Sequence, residues 1–127
     1  MWKRYGILCL LVLLMAGCSS DNREKAIEYL TQYQVNDASL IVFTDKPAER
    51  SFITDLQTNM DYISNQKLRE EGPITNVNFY NVRDDQQFNY EQIFNMSTYP
   101  YMILFEKGEI TLETQEPEEI VKYYEKD

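Results

Sequence analysis

The chain of 127 residues has no histidine and only two cysteines, Cys9 and Cys18. Histidine is the usual base near neutral pH and a common zinc ligand, and the thiolate is the usual redox and covalent nucleophile. Glycine is scarce as well. Gly6, Gly17, Gly72 and Gly108 are too dispersed to build a phosphate-cradling loop. Basic residues number 12 against 21 acidic ones, a net charge of −9, which argues against a basic patch for nucleic acid or anionic lipid. Carboxylates, lysines, tyrosines and hydroxyls are left to do any chemistry.

What is present begins at the N-terminus. Lys3 and Arg4 precede an apolar run from Gly6 to Met15 that is short for a membrane span. Met15-Ala16-Gly17-Cys18 and two serines follow. This resembles a bacterial lipoprotein signal, with Met15 where that pattern usually has leucine. The resemblance implies a signal peptide over 1–17, palmitate-type diacylation of Cys18, a short lipidated tether over 18–22, and attachment to the extracytoplasmic face of a bacterial cell membrane. Two acyl chains suffice for stable anchoring. Cleavage would remove Lys3, Arg4 and Cys9, so ten basic residues would face 21 acidic ones, with a net charge of −11 and no free thiol.

The remainder, 23–127, reads as one domain. Ala26, Ile27, Leu30 and Tyr33 recur at helical spacing, predicting a helix over Asn22–Gln34. SLIVFT, residues 39–44, is β-branched and aromatic, as a buried strand would be. Pro47 suits a helix start, and Phe52, Ile53, Leu56, Met60 and Ile63 make an apolar stripe, so the long helix should run over Pro47–Lys67. Gly72-Pro73 breaks the chain. Val77–Val82 is a second strand of mixed polarity, and Asn89–Asn95 a short helix. Pro100 leads into the strand Tyr101–Phe105. Glu106-Lys107-Gly108-Glu109 suggests a hairpin turn, with Gly108 at positive φ, and Ile110–Glu113 alternates as a half-buried strand does. Pro117 opens a last helix, with Ile120, Val121, Tyr123 and Tyr124 supplying its buried side. The helix between the first two strands implies that they are parallel, and the hairpin makes the sheet mixed.

The pattern resembles the thioredoxin-like family, best in the second half. VNFYNVRDDQ is similar to a family strand that ends in a polar, acidic turn. IFNMSTYPYMILFEKGEI is similar to the family's run of helix end, cis-proline, apolar strand and glycine turn. The resemblance implies an α/β fold with a central mixed sheet of about four strands flanked by helices. It also implies a cis-proline, Pro100, before the third strand, with Tyr99 facing the active-site end. The family's CxxC motif would fall at Ala48-Glu49-Arg50-Ser51, where no cysteine stands, and the position of its buried acid falls near the apolar Val42. Redox chemistry is therefore not carried over with the fold.

Candidate partner-binding residues are Lys46, Pro47, Glu49, Arg50, Tyr99, Pro100 and Tyr101, expected together at one end of the sheet. A Ser51–Lys46 nucleophile would lack a histidine base, so a capping or solvated serine is the default. Asp45, Asp84 and Asp85 match no calcium-loop spacing. The acidic segment Glu106–Asp127 reads as a solvated face. The tyrosines outside the signal divide between an exposed contact patch and plain surface scatter. The expectation is a non-catalytic, lipid-anchored protein that binds an envelope or membrane protein, with no cofactor, metal or nucleic acid. Alternatives are an exclusion or immunity lipoprotein of a mobile element acting on a membrane machine, a redox accessory using a partner's thiols, and a small-ligand carrier.

Overall fold

The computed structural model of the chain describes residues 21–32 and 38–126. Cys18 and the signal segment lie outside them. Residues 21–31 form helix α1, so residues 21 and 22, expected in the tether, are already helical. The chain continues through β1 (Ala38–Thr44), α2 (Arg50–Asn65), β2 (Val77–Asn81), α3 (Tyr90–Ile93), β3 (Tyr101–Glu106), β4 (Glu109–Thr114) and α4 (Glu118–Glu125). The expected order of elements holds. Both middle helices are shorter than their apolar stripes suggested, because stripes outrun the backbone bonds that define a helix.

The four strands form one sheet in the order β2-β1-β3-β4. β1 runs parallel to β2, with Leu40 opposite Val77 and Thr44 opposite Asn81. β3 is antiparallel to β1, with Phe43 opposite Tyr101, and antiparallel to β4. Every residue of β1 and the four inner residues of β3 are buried, as befits central strands covered on both faces. Their side chains alternate. Leu40, Val42, Met102 and Leu104 pack with Leu56, Ile63, Ile120 and Tyr124 from α2 and α4. Ile41, Phe43, Ile103 and Phe105 pack with Ala26 and Leu30 of α1 and with Tyr90 and Phe94 around α3. The second layer is mainly aromatic: the Phe43 and Tyr90 ring centroids are 5.1 Å apart, and the Tyr90 and Phe94 rings stack at 6.3 Å.

Local chemistry explains the joints. Lys107 and Gly108 both take positive φ, 54° and 78°, as a tight two-residue hairpin turn requires. A bulge shifts the β3–β4 register between Leu104 and Phe105. Thr111 sits at the shift, its hydroxyl 3.3 Å from the Leu104 carbonyl and 3.2 Å from Glu106 Oε1. Arg69 is buried on the connection to β2. Its Nη1 donates to the Gly72 carbonyl at 2.6 Å and its guanidinium lies 5.6 Å over the Tyr124 ring.

Two expectations are corrected. Ile53, placed on the buried stripe of α2, is 46% exposed, because it lies 60° or so off the Leu56–Ile63 line. The tyrosines make no exposed contact patch among the described residues. Tyr90 and Tyr124 are core residues, and Tyr62 is the large exposed tyrosine. Burying an aromatic ring removes far more apolar area from water than its single hydroxyl costs when satisfied.

Candidate functional site

The pairing of β1 with β3 fixes the site. Because Phe43 lies opposite Tyr101, the loop leaving β1 at Thr44 runs beside the segment entering β3 at Pro100. The Tyr99–Pro100 peptide bond is cis. The two segments and the first turn of α2 enclose a pocket of about 150 Å³. Lys46, Pro47 and Glu49 line one wall, Phe52 the floor side from α2, and Tyr99 and Pro100 the other wall. Glu49, the residue before α2, is extended, with φ −68° and ψ 145°, and its side chain makes no capping hydrogen bond to the helix. The first turn therefore begins at the pocket edge with no side-chain hydrogen bond to its free N–H groups from the N-cap residue.

Five of the seven residues picked out from the sequence, Lys46, Pro47, Glu49, Tyr99 and Pro100, line this pocket. Arg50 and Tyr101 do not. Arg50 is the exposed first residue of α2. Tyr101 faces the aromatic layer that Tyr99 also touches, but two residues further along, in β3, and it does not line the pocket. Its hydroxyl donates to Glu113 Oε1 at 3.0 Å. Burial, with that carboxylate second, pushes the Tyr101 phenol up to about 12. Sequence reading placed Phe52 in the core stripe and so missed it as a pocket residue. Its position three after Glu49 is the signal that it reaches back to the helix start.

Tyr99 connects the pocket to a charged corner. Its hydroxyl is buried, and burial foremost, then the Glu91 carboxylate, raises its pKa to about 12. Arg83 Nη1 stands 3.0 Å from Glu91 Oε1 and opposes the rise, while Asp45 adds to it. A neutral phenol is thus held at the pocket wall throughout the physiological range. Ser51 is exposed and does not line the pocket. Asp84 and Asp85 border a second cavity of about 370 Å³ with Arg83 and Asn89, which Asp45 does not line. Among the described residues no group of three acidic, histidine or cysteine side chains is placed to hold a metal ion. No described helix is long and apolar enough to cross a membrane.

No protein-family model matches the chain, and no curated protein matches it. Solved structures do. Thioredoxin f2 of Chlamydomonas reinhardtii superposes with a TM-score of 0.50 at 10% identity, over 82% of this chain and 90% of that one. The zinc-bound form of human ERp44 gives a TM-score of 0.50 at 17% identity, over 79% of this chain and 28% of that one. At such identities the likeness is one of fold. The chain has a thioredoxin-like α/β fold, with a mixed sheet of four strands between helical layers.

Proposed function

We propose that this protein binds rather than catalyses: it is a lipid-anchored, extracytoplasmic thioredoxin-like domain that holds a protein partner at the cell envelope. The observation that carries the reading is the pocket beside Tyr99–Pro100, which keeps an apolar floor and charged rim but is lined by no cysteine and no histidine. Nothing in such a lining exchanges thiols or takes a proton near neutral pH. Phe52 and Pro100 offer apolar area to a partner side chain, and Lys46 and Glu49 offer ion pairs of either sign around it. The lipid anchor rests on the Lys3–Cys18 signal pattern, and the two residues between Cys18 and α1, spanning at most roughly 7 Å, would keep the domain close to the bilayer.

The test is photo-crosslinking of the full chain in its own cells, with the probe at the pocket residue Ala48, in the parent sequence and in the double variant Lys46→Ala/Glu49→Ala. One protein of the envelope should be captured by the first and lost with the second while the melting temperature holds. Capture that is unchanged by the double variant would remove the pocket from the interface.

A further inference from the structure

The outer edge of β2 is the least defended surface of the sheet. Leu40 N–H donates to the Asn76 carbonyl at 2.9 Å, and Val82 N–H donates to the Thr44 carbonyl at 2.8 Å. In a parallel ladder this phase turns the backbone groups of Asn78 and Tyr80 toward β1 and those of Val77, Phe79 and Asn81 outward. Among the described residues no strand pairs with that edge. Natural edge strands are usually blunted by charge, proline or a bulge. The opposite edge, β4, has two of these devices, the acids Glu109 and Glu113 and the register shift at Leu104/Phe105. β2 has none: it carries no proline, its register with β1 is unbroken, and residues 72–82 contain no charged side chain in a chain of net charge −9. Phe79, at its centre, is 46% exposed.

We propose that this edge pairs with itself, joining two copies of the chain antiparallel about Phe79. The outward groups are self-complementary in that register. Phe79 would exchange two hydrogen bonds with Phe79 of the second copy, and each Asn81 N–H would meet the Val77 carbonyl across the seam. The Asn81 carbonyl is already engaged, accepting from Asp84 N–H at 3.1 Å and from Gln86 Nε2 at 3.0 Å, so the seam has four bonds from free groups and ends at that turn. The two Phe79 rings would lie side by side on the α2 face, as directly opposed residues do. A second copy is favoured over a foreign strand by charge. An edge that recruited a basic or acidic peptide would display the opposite sign, whereas this one displays none, and it is where two acidic copies meet with least repulsion. The two-fold axis would stand normal to the sheet, leaving both α1 helices on one face and both N-terminal ends looking the same way. Two copies carried on one membrane surface could pair so without turning over.

The experiment uses the full chain with Cys9→Ser and Cys18→Ser, so that no native thiol remains. Sedimentation equilibrium should give twice the monomer mass, and Phe79→Lys should return it to the monomer mass with an unchanged melting temperature. In the same background, Phe79→Cys should form a disulfide-linked dimer under mild oxidation, and Glu113→Cys on the opposite edge should not. A monomer mass before substitution, a dimer that survives Phe79→Lys, or equal crosslinking from both edges would overturn the proposal.

Discussion

Replacing Tyr90 by phenylalanine should make the protein more stable. Tyr90 is 1% exposed, and its hydroxyl has no hydrogen-bond partner among the described residues. Its ring, by contrast, is fully engaged, with Phe43 at 5.1 Å, Tyr80 at 5.9 Å, Phe88 at 6.1 Å and Phe94 at 6.3 Å. Phenylalanine keeps every ring contact and removes the unpaired hydroxyl. An unsatisfied buried polar group costs about 1–3 kcal/mol, and the small void left behind returns part of that. A net gain of about 1 kcal/mol follows, which for a domain of roughly this size is a rise of about 4–8 °C in Tm. Urea denaturation should show a higher midpoint at an unchanged slope. Tyr124→Phe is the built-in contrast. That hydroxyl donates to Glu106 Oε1 at 3.2 Å, and its loss should cost about 0.5–1.5 kcal/mol. A destabilised Tyr90→Phe, or the same sign for both variants, would refute the account of the aromatic layer.

Alkaline pH should unfold the protein through its phenols. Tyr99 and Tyr101 are raised from 10.0 to about 12, and Tyr90 and Tyr124 are raised as well, burial being the first cause in each. The folded state therefore favours the neutral phenol, so stability is intact below pH 10 and falls as pH climbs through 12; equal denaturation midpoints at about pH 8 and about pH 11 would contradict this. In the middle of β3, Ile103→Ala should cost about 2–5 kcal/mol, because Ile103 is wholly buried. Ile53→Ala on the exposed side of α2 should stay within about 0.5 kcal/mol, and chemical denaturation compares the two. Cys18→Ser should move the protein from the membrane to the soluble fraction on cell fractionation; retention on the membrane would remove the lipid anchor from the reading.

The strands and their order were legible because β1 and β3 are short apolar runs of β-branched and aromatic residues bounded by turn residues, a signal that depends only on neighbours along the chain. The hairpin was legible from Lys107-Gly108 for the same reason. Which face a residue takes was harder. Tyr101 belonged by sequence proximity to the Tyr99–Pro100 wall, yet β3 carries it past the pocket into the aromatic layer beside Ile103 and Phe105. Ile53 fitted an apolar stripe drawn from composition, but the sheet covers only the arc centred on Leu56 and Ile63. The pocket itself was half legible: the pairing of β1 with β3 brings Lys46 and Glu49 to Pro100, and the fold resemblance anticipated that meeting. The contribution of Phe52 and the charged corner of Glu91 and Arg83 behind Tyr99 needed three-dimensional packing.

The N-terminal helix is fastened to the same face of the sheet that Tyr99 packs against. α1 is held on one side by Ala26 and Leu30, by Arg23 over the Phe94 ring at 5.3 Å, and by the Arg23 Nη1 bond to the Ile93 carbonyl at 3.4 Å. A pull applied at residue 21 would load these contacts first, peeling α1 from the α3 segment one turn at a time. The pocket is joined to that line of force, because its wall residue Tyr99 packs in the same layer as α1 and lies against Glu91 of α3. Tension on the N-terminal helix would therefore pass through the α3 segment to Tyr99 and so to the wall of the pocket.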